Sequence, residues 1–247
     1  MANWSDPRIG ASQPTTTIGR DVAYDAGLRA HMLSVYNYMA SAVLLSGIVA
    51  YFFASSGAVF SLFSYTGRLS GLGYLVMFAP LGVVLWMSFG LNRISTVTAQ
   101  ILYWIYAVLI GISLSTIFLI YTEGSIALTF FATAGAFAGL SLYGYTTKRD
   151  LSGLGTFLIM GVVGIVVAMV VNLFLQSNTF SLAIAALGVL IFAGLTAYDT
   201  QKIKSIYFQF AGTGEELRKA AIMGALNLYL DFINMFLFLL RFMGNRN

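Results

Sequence analysis

The chain has 247 residues, of which 59% are hydrophobic and only 9% are Asp, Glu, Lys or Arg. Soluble domains carry about 25% charged residues, so this composition excludes a soluble fold and indicates a membrane protein. The absence of Cys and the single His exclude disulfides and clustered thiolate or imidazole sites, so any bound metal would have oxygen ligands, which Ca²⁺ prefers. The net charge of +4 is spread over the loops without a basic cluster, which argues against nucleic-acid binding.

The chain begins with a polar segment, residues 1–31, which we interpret as an N-terminal tail. It carries three acidic residues and three Arg before any apolar run, unlike a cleaved signal peptide. The remainder, residues 32–247, is predicted to be one all-α transmembrane domain, because it contains seven apolar runs long enough to cross a hydrocarbon core of about 30 Å. The predicted spans are 32–53, 71–89, 101–121, 126–145, 154–175, 180–198 and 226–242.

The fourth predicted span contains a pair of glycines four residues apart, in the sequence Gly135-Ala-Phe-Ala-Gly139. Residues at this spacing lie on one face of a helix. Such a GxxxG pair permits the close approach of two membrane helices, so we expect a neighbouring helix to pack near this motif.

The distribution of Lys and Arg over alternate loops predicts that the N-terminus is cytoplasmic. In this orientation ten basic residues lie on the cytoplasmic side and three on the opposite side. Seven crossings then place the C-terminus outside. The alternative, with both termini inside, requires a re-entrant span, for which the seventh is the candidate because its interior is polar.

Two of the nine acidic residues are predicted to lie near membrane depth, Asp199 at the inner end of the sixth span and Asp231 inside the seventh. An ionisable group at this depth costs a few kcal/mol or more, so it is retained where it is paired, hydrated or functional. The seventh span also carries Asn227, Asn234 and Arg241, which lie with Asp231 along one line of the helix. This polar stripe predicts that the seventh helix lies at the centre of the bundle.

The sixth and seventh spans are consecutive and antiparallel, so Asp199 and Asp231 can lie at similar depth. If their carboxyl groups meet, both cannot ionise cheaply, and they would share one proton. We therefore predict that the pair acts as a pH sensor and as a weak Ca²⁺ ligand, helped by oxygen atoms of Asn227 and Asn234. Two structural alternatives stay open: Asp199 caps or flanks its helix end, and Asp231 makes a structural hydrogen bond. No cofactor is expected.

Three segments of the chain carry a family resemblance. They are SLYGYTTKRDLS at 141–152, TAYDTQK at 196–202 and ALNLYLDFINMF at 225–236. These segments resemble the Bax inhibitor-1 family, also called the transmembrane Bax-inhibitor-motif family, and the similarity extends over nearly everything from the first span to Arg241. The short tail and compact loops are similar to the bacterial YccA-like branch.

This resemblance implies a seven-helix bundle in which six helices wrap the polar seventh helix and which acts as a pH-sensitive Ca²⁺ leak channel of a cell inner membrane. By motif match, Asp199 and Asp231 correspond to the two carboxylates of the family's di-aspartyl pH sensor. The family also has an Arg in its second helix that can pair with the sensor, and Arg93 is the nearest candidate. Bacterial relatives include modulators of a membrane-bound ATP-dependent protease. The alternative function is therefore a non-conducting regulator of such a protease or of another membrane quality-control or stress-survival partner.

Two aspartates on adjacent membrane helices also occur in intramembrane aspartyl proteases. Tyr198-Asp199 imitates half of their signature, but the Gly-x-Gly-Asp half is replaced here by Leu228-Tyr-Leu-Asp231. A retinal protein would need a Lys in the seventh span, which contains none. We therefore expect no enzymatic activity, and we expect the partners to be the lipid bilayer, Ca²⁺ and protons.

Overall fold

The fold is a bundle of antiparallel α-helices. The computed structural model describes the backbone of residues 15–90 and 93–247, and the side chains of residues 26–90 and 93–247. Within these ranges seven helices are long and apolar enough to cross a membrane, which confirms the predicted all-α seven-helix architecture. The helices are α1 (Thr15–Ser55), α2 (Gly71–Gly90), α3 (Thr96–Leu114), α4 (Glu123–Thr146), α5 (Ser152–Leu175), α6 (Asn178–Phe210) and α7 (Gly214–Met243).

Four of the described helices begin at a hydroxyl side chain that caps their first turn, and before α2 the Oγ of Ser70 accepts from the Gly73 amide at 3.1 Å. The Oγ of Ser95 accepts from the Thr98 amide at 3.1 Å before α3, and the Oγ of Ser177 accepts from the Phe180 amide at 3.2 Å before α6. Thr122 caps α4 in the same way. Such caps satisfy amides at a helix start that have no partner within the helix. Short 3₁₀ segments at Ala58–Leu62 and Ser115–Leu119 complete the connections before α2 and α4.

Helix α7 lies at the centre of the bundle, as the sequence predicted. It packs against α1, α3, α4 and α6, and its residues Leu228 and Tyr229 are fully buried. Helix α5, in contrast, packs mainly on α6 and exposes most of its apolar side chains. In a bilayer this exposure is favourable because hydrocarbon surrounds the outer helices, so the most apolar helix lies outside and the polar one inside.

Two helices continue well beyond the predicted membrane spans. Helix α6 ends at Phe210 rather than near 198, and α7 begins at Gly214 rather than near 226. The predicted 27-residue connection is therefore replaced by a tight turn at 211–213, where Gly212 has a positive φ of 95° that favours glycine. Asp199 lies inside α6, 11 residues before the helix ends, so the alternative in which it caps or flanks the end of its helix is wrong.

Helix α1 also begins upstream of the predicted boundary between tail and membrane domain. It starts at Thr15, and Leu28 and His31 are already buried in the bundle. The predicted tail, residues 1–31, is therefore helical where it is described, and residues 1–14 lie outside the described residues. A polar sequence is compatible with this helix because it extends α1 on the side of the membrane where water is available.

The close approach of two helices occurs at a different glycine from the predicted pair. An added Cβ at Gly135 or Gly139 would have no other atom within 4 Å, so the prediction of packing at the GxxxG motif was wrong. At Gly144, an added Cβ would lie 2.2 Å from the carbonyl oxygen of Ala197 on α6. The backbones of α4 and α6 therefore touch where Gly144 meets Ala197. Ala197 lies two residues before Asp199 on α6.

The C-terminus lies on the side of the bundle where α3 connects to α4. Tyr121 and Arg246 form an isolated β-bridge, and the Asn245 amide donates to the Oγ of Ser125 at 2.9 Å. Since α7 is one continuous helix of 30 residues, the chain crosses the bundle a seventh time. The alternative of a re-entrant seventh span is therefore wrong.

Candidate functional site

The structure brings the two predicted aspartates together at the contact between α6 and α7. Their carboxyl groups lie within hydrogen-bonding reach of each other. Asp231 is 4% exposed, whereas Asp199 is half-buried. The antiparallel arrangement of the two helices and the short turn at 211–213 put both side chains at the same level, as expected from the order of the spans.

The buried carboxyl group of Asp231 has an unfilled hydrogen-bonding position. Its Oδ2 has no hydrogen-bond partner among the described residues. A buried polar atom without a partner costs about 1–3 kcal/mol, and more when the group is charged. Two ionised carboxylates cannot bond to each other because neither has a proton to donate. A single proton on either group would supply the missing hydrogen bond.

The polar groups nearest the pair on α6 and α4 are largely satisfied by each other. Thr200, which follows Asp199, is fully buried and its Oγ1 donates to the Oγ of Ser141 at 3.4 Å. One turn earlier, the Thr196 hydroxyl donates to the Phe192 carbonyl oxygen at 2.8 Å. The pair is therefore bordered by hydroxyl groups that are already engaged, which leaves the two carboxyl groups as each other's main partner.

A cationic side chain lies beside the pair, toward the end of the bundle where α6 and α7 are joined. Lys202 lies one turn after Asp199 on α6, and its charge acts on that carboxylate. Lys202 is exposed, and its Nζ lies 5.9 Å from the centre of the Tyr198 ring. It therefore faces Asp199 from the water-accessible end of the site.

A cavity of about 510 Å³ opens between α6 and α7 on the side of the bundle where the turn at 211–213 joins them. Its charged and polar lining residues are Lys202, Glu216, Lys219 and Asn227. Asn227 precedes Asp231 by one turn of α7, and Lys202 follows Asp199 by one turn of α6. The cavity, which we call the α6–α7 vestibule, thus reaches within one helical turn of both aspartates.

The structure does not bring the other predicted site residues to the pair. Arg93 is exposed in the connection between α2 and α3, and its described contacts include no ion pair with either aspartate. The side-chain amide of Asn234 donates to the Leu230 carbonyl oxygen of its own helix at 2.9 Å. Asn227 lines the vestibule and is half-buried.

The polar stripe of α7 is not its most buried face. Leu228 and Met235 are 0% and 1% exposed, whereas Asn227 and Asn234 are half-buried. The position of α7 among α1, α3, α4 and α6 buries its leucines as well as part of its polar stripe. At the outer end of the stripe, Arg241 is exposed and donates to the Oγ of Ser181 on α6.

A buried hydrogen-bond network that the sequence does not predict joins α1, α3 and α7. The Oγ of Ser46 on α1 donates to the Ala107 carbonyl oxygen on α3 at 2.7 Å and lies 2.6 Å from the Tyr229 hydroxyl on α7. Ser46 and Tyr229 are fully buried, and Tyr106 packs edge-on against the Tyr229 ring at 5.7 Å. No sequence signal marks these residues, because isolated Ser and Tyr are common in membrane helices.

A metal ion at the aspartate pair would find few protein ligands. No group of three or more His, Asp or Glu side chains that could hold a metal occurs among the described residues. Ca²⁺ takes six to eight oxygen atoms, and two carboxylates supply at most four. Water from the vestibule would have to complete the shell, which suits transient binding rather than a resident ion.

Comparison with known proteins places the chain among bacterial membrane proteins. The sequence model of the family described as Inhibitor of apoptosis-promoting Bax1 matches residues 28–247. A Rickettsia prowazekii protein is 49% identical over 238 residues, which are 96% of this chain and 99% of the relative. The Escherichia coli inner membrane protein YbhL is 47% identical over 222 residues, which are 90% of this chain and 94% of the relative. The chain therefore belongs to the Bax inhibitor-1 family of membrane proteins.

Proposed function

We propose that this protein is a pH-sensitive Ca²⁺ leak channel of a cell inner membrane, with Asp199 and Asp231 as its proton sensor. The observation that carries the proposal is the contact between the two carboxyl groups inside an apolar bundle, with one Asp231 oxygen unpartnered. The E. coli relative is an inner membrane protein, and the excess of Lys and Arg in alternate loops favours a cytoplasmic N-terminus.

The chemistry of the pair links proton binding to ion binding. With one shared proton the pair carries a single negative charge and a satisfied hydrogen bond. Ca²⁺ binding favours two ionised carboxylates, so the ion displaces the shared proton. Lowering the pH adds protons and removes the negative charge that attracts the ion. Ca²⁺ affinity should therefore fall as the pH drops.

The vestibule supplies a route to the pair from the cytoplasmic side. Its lining includes Glu216, which attracts cations and offsets the charge of Lys219, and Asn227, which offers an oxygen ligand one turn from Asp231. Lys202 opposes the entry of a cation, since its ammonium group and the ion compete for Asp199. A weak Ca²⁺ site beside the competing ammonium group of Lys202 favours passage of the ion over its retention.

The role of Arg93 as a lock on the pair remains a prediction that this conformation does not support. The side chain is exposed between α2 and α3, so it would have to move to the site in another state of the protein. In this conformation the positive charge that acts on Asp199 is that of Lys202.

The test is Ca²⁺ flux into liposomes that contain the purified protein and a Ca²⁺-sensitive dye, measured from acid to neutral pH. Wild-type flux should depend on pH, and Asp199→Asn and Asp231→Asn should each remove that dependence. The double variant should add little, because the two residues act as one unit. Asp150→Asn is the matched control, since Asp150 is an exposed acid in the loop between α4 and α5.

Two results would overturn separate parts of the proposal. If the wild-type protein conducts but both single variants keep its pH profile, the sensor assignment is wrong. If folded wild-type protein conducts no Ca²⁺ at any pH, the channel proposal is wrong, and regulation of a membrane-bound protease or of another quality-control partner becomes the better hypothesis.

A further inference from the structure

A long apolar crevice runs between α1 and α4, and neither the site nor the proposed function uses it. Helix α1 packs along α3 and α7, while α4 packs along α6 and α7, so a gap separates α1 from α4. The gap holds two cavities of about 700 Å³ and 430 Å³. Both cavities are lined by Val43, Leu44, Phe130 and Phe232, so they form one continuous groove, which we call the α1–α4 crevice.

The floor of the crevice is the central helix. Phe232 of α7 lines both cavities although it is only 4% exposed, and its ring lies 5.6 Å from the rings of Phe130 and Phe137. The small side chains of Ala134 and Ala138 on α4 leave the groove wide. The residue before Phe232 is Asp231, so whatever fills the crevice contacts α7 immediately beside the candidate sensor.

The position of the crevice in the membrane determines the chemistry of its occupant. It opens sideways between two membrane-spanning helices, where the surroundings are hydrocarbon rather than water. Its lining is almost entirely apolar, so water molecules would find few hydrogen-bond partners there. An empty groove would lose the dispersion contacts of its lining side chains. A flexible hydrocarbon chain from the bilayer restores these contacts without a polar cost.

One end of the crevice carries a positive charge. Arg29 of α1 and Tyr145 of α4 line the end nearest the loop that contains Asp150. The Lys204 ammonium donates to the Tyr145 carbonyl oxygen at 2.9 Å, which adds a second cation at the same end. From Arg29 to Tyr51, where the lining of the other end stops, α1 rises about 33 Å, close to the ~30 Å thickness of the hydrocarbon core. Arg29 therefore lies at the level of lipid headgroups.

We propose that the α1–α4 crevice is a binding site for one glycerophospholipid. Its phosphate is held by the Arg29 guanidinium, whose planar fork suits a phosphate group. One of its acyl chains lies along Ala134 and Ala138 and reaches Phe232. The pairing of a cation with an apolar groove distinguishes this site from the purely apolar outer surface of α5.

The experiment uses the full chain in liposomes that contain a phospholipid with a diazirine in the middle of one acyl chain. After illumination, mass spectrometry maps the labelled peptides. We expect stronger labelling of the α4 segment around Ala138 than of the outer face of α5, which exposes Met160, Val163 and Val167 to the same lipids. Equal labelling of the two surfaces overturns the proposal without the use of any variant.

Two further comparisons test the acyl chain and the phosphate separately. Ala138→Trp fills the crevice and should reduce its labelling to the level of α5, whereas Ala136→Trp, on an exposed face of α4 outside the crevice, should not. Arg29→Gln should weaken phospholipid labelling about tenfold, as expected for the loss of a charge-assisted hydrogen bond, but leave labelling by a diacylglycerol with the same chain unchanged.

The variants also show which part of the proposal fails. If Ala138→Trp and Ala136→Trp behave alike in folded protein, no lipid occupies the crevice. If Arg29→Gln weakens the labelling by both lipids equally, the phosphate contact is wrong. The readout is lipid labelling rather than Ca²⁺ flux, so failure of the channel proposal leaves this test unaffected.

Discussion

Replacing Gly144 by Ala should separate α4 from α6 next to the aspartate pair. The added Cβ would lie 2.2 Å from the Ala197 carbonyl oxygen and 3.0 Å from the Ala197 Cα. Ordinary contacts of a Cβ begin at 3.4 Å, so the two backbones must move apart by about 1 Å at this point. A side chain could rotate away from the new methyl group, but the backbone of a packed helix cannot.

The expected cost follows from two opposing effects. Inserting a methyl group into a well-packed contact typically costs about 1–3 kcal/mol. Ala favours a helix over Gly by roughly 1 kcal/mol, which offsets part of this loss. We therefore expect Gly144→Ala to lower the free energy of unfolding by up to about 2 kcal/mol. Gly139→Ala is the matched control, because the same helix gains the same residue where the methyl group meets no atom within 4 Å.

The assay is equilibrium unfolding in mixed micelles with increasing denaturing detergent, followed by circular dichroism. Gly139→Ala should be neutral or slightly stabilising, and Gly144→Ala should unfold at lower detergent fraction. Ala197 lies two residues before Asp199, so Gly144→Ala should also shift the pH profile of Ca²⁺ flux. Equal stability of the two variants would refute the reasoning, since it would mean that α4 and α6 do not touch at Gly144.

Three further predictions concern topology, packing and a loop carboxylate. A reporter fused after Asp150 should read as cytoplasmic and one after Ser177 as external, and the reverse pattern would contradict the orientation drawn from Lys and Arg. Ser46→Ala should lower the free energy of unfolding by about 1 kcal/mol, because the buried Tyr229 hydroxyl loses its partner, and unchanged stability would argue against the network. The Ser152 hydroxyl and amide lower the pKa of Asp150 by hydrogen bonding, so an NMR titration should give a midpoint below 3.8. The carboxylate should stabilise the start of α5 above that ordinary value and lose its effect as the pH falls through the lowered pKa, whereas a midpoint at or above 3.8 would contradict the contact.

The membrane spans could be predicted from the sequence because hydropathy reports directly which residues tolerate hydrocarbon. The prediction 71–89 differs from α2 by one residue at its end, and 154–175 differs from α5 by two at its start. The ends of α6 and α7 could not be predicted in this way. Residues 199–210 and 214–225 carry several charges, and hydropathy excludes them although they form good helices outside the hydrocarbon.

The meeting of Asp199 with Asp231 could also be expected from the order of the spans, since consecutive antiparallel helices can be neighbours, although the short turn that joins them could not. The rotation of each helix about its axis could not. Apolar residues occur on every side of α4, so its sequence does not reveal that Gly144 rather than Gly139 faces α6. The same is true of α7, whose Leu228 is fully buried whereas Asn227 and Asn234 are half-buried.

The position of α7 at the centre of the bundle follows from the cost of Asp231. An ionised carboxylate facing lipid at membrane depth would cost several kcal/mol, whereas a carboxyl group beside Asp199 can share a proton and make a hydrogen bond. That bond forms only if α6 and α7 approach closely, and Gly224 provides the space, since its added Cβ would lie 2.9 Å from the Ile203 Cγ1 on α6. Glycine contacts on both sides of α6 thus set the distance between the two carboxyl groups. On the proposed function, a displacement of α6 away from α7 would therefore separate the two carboxyl groups, and release of the shared proton to water would leave two carboxylates that are free to bind an ion.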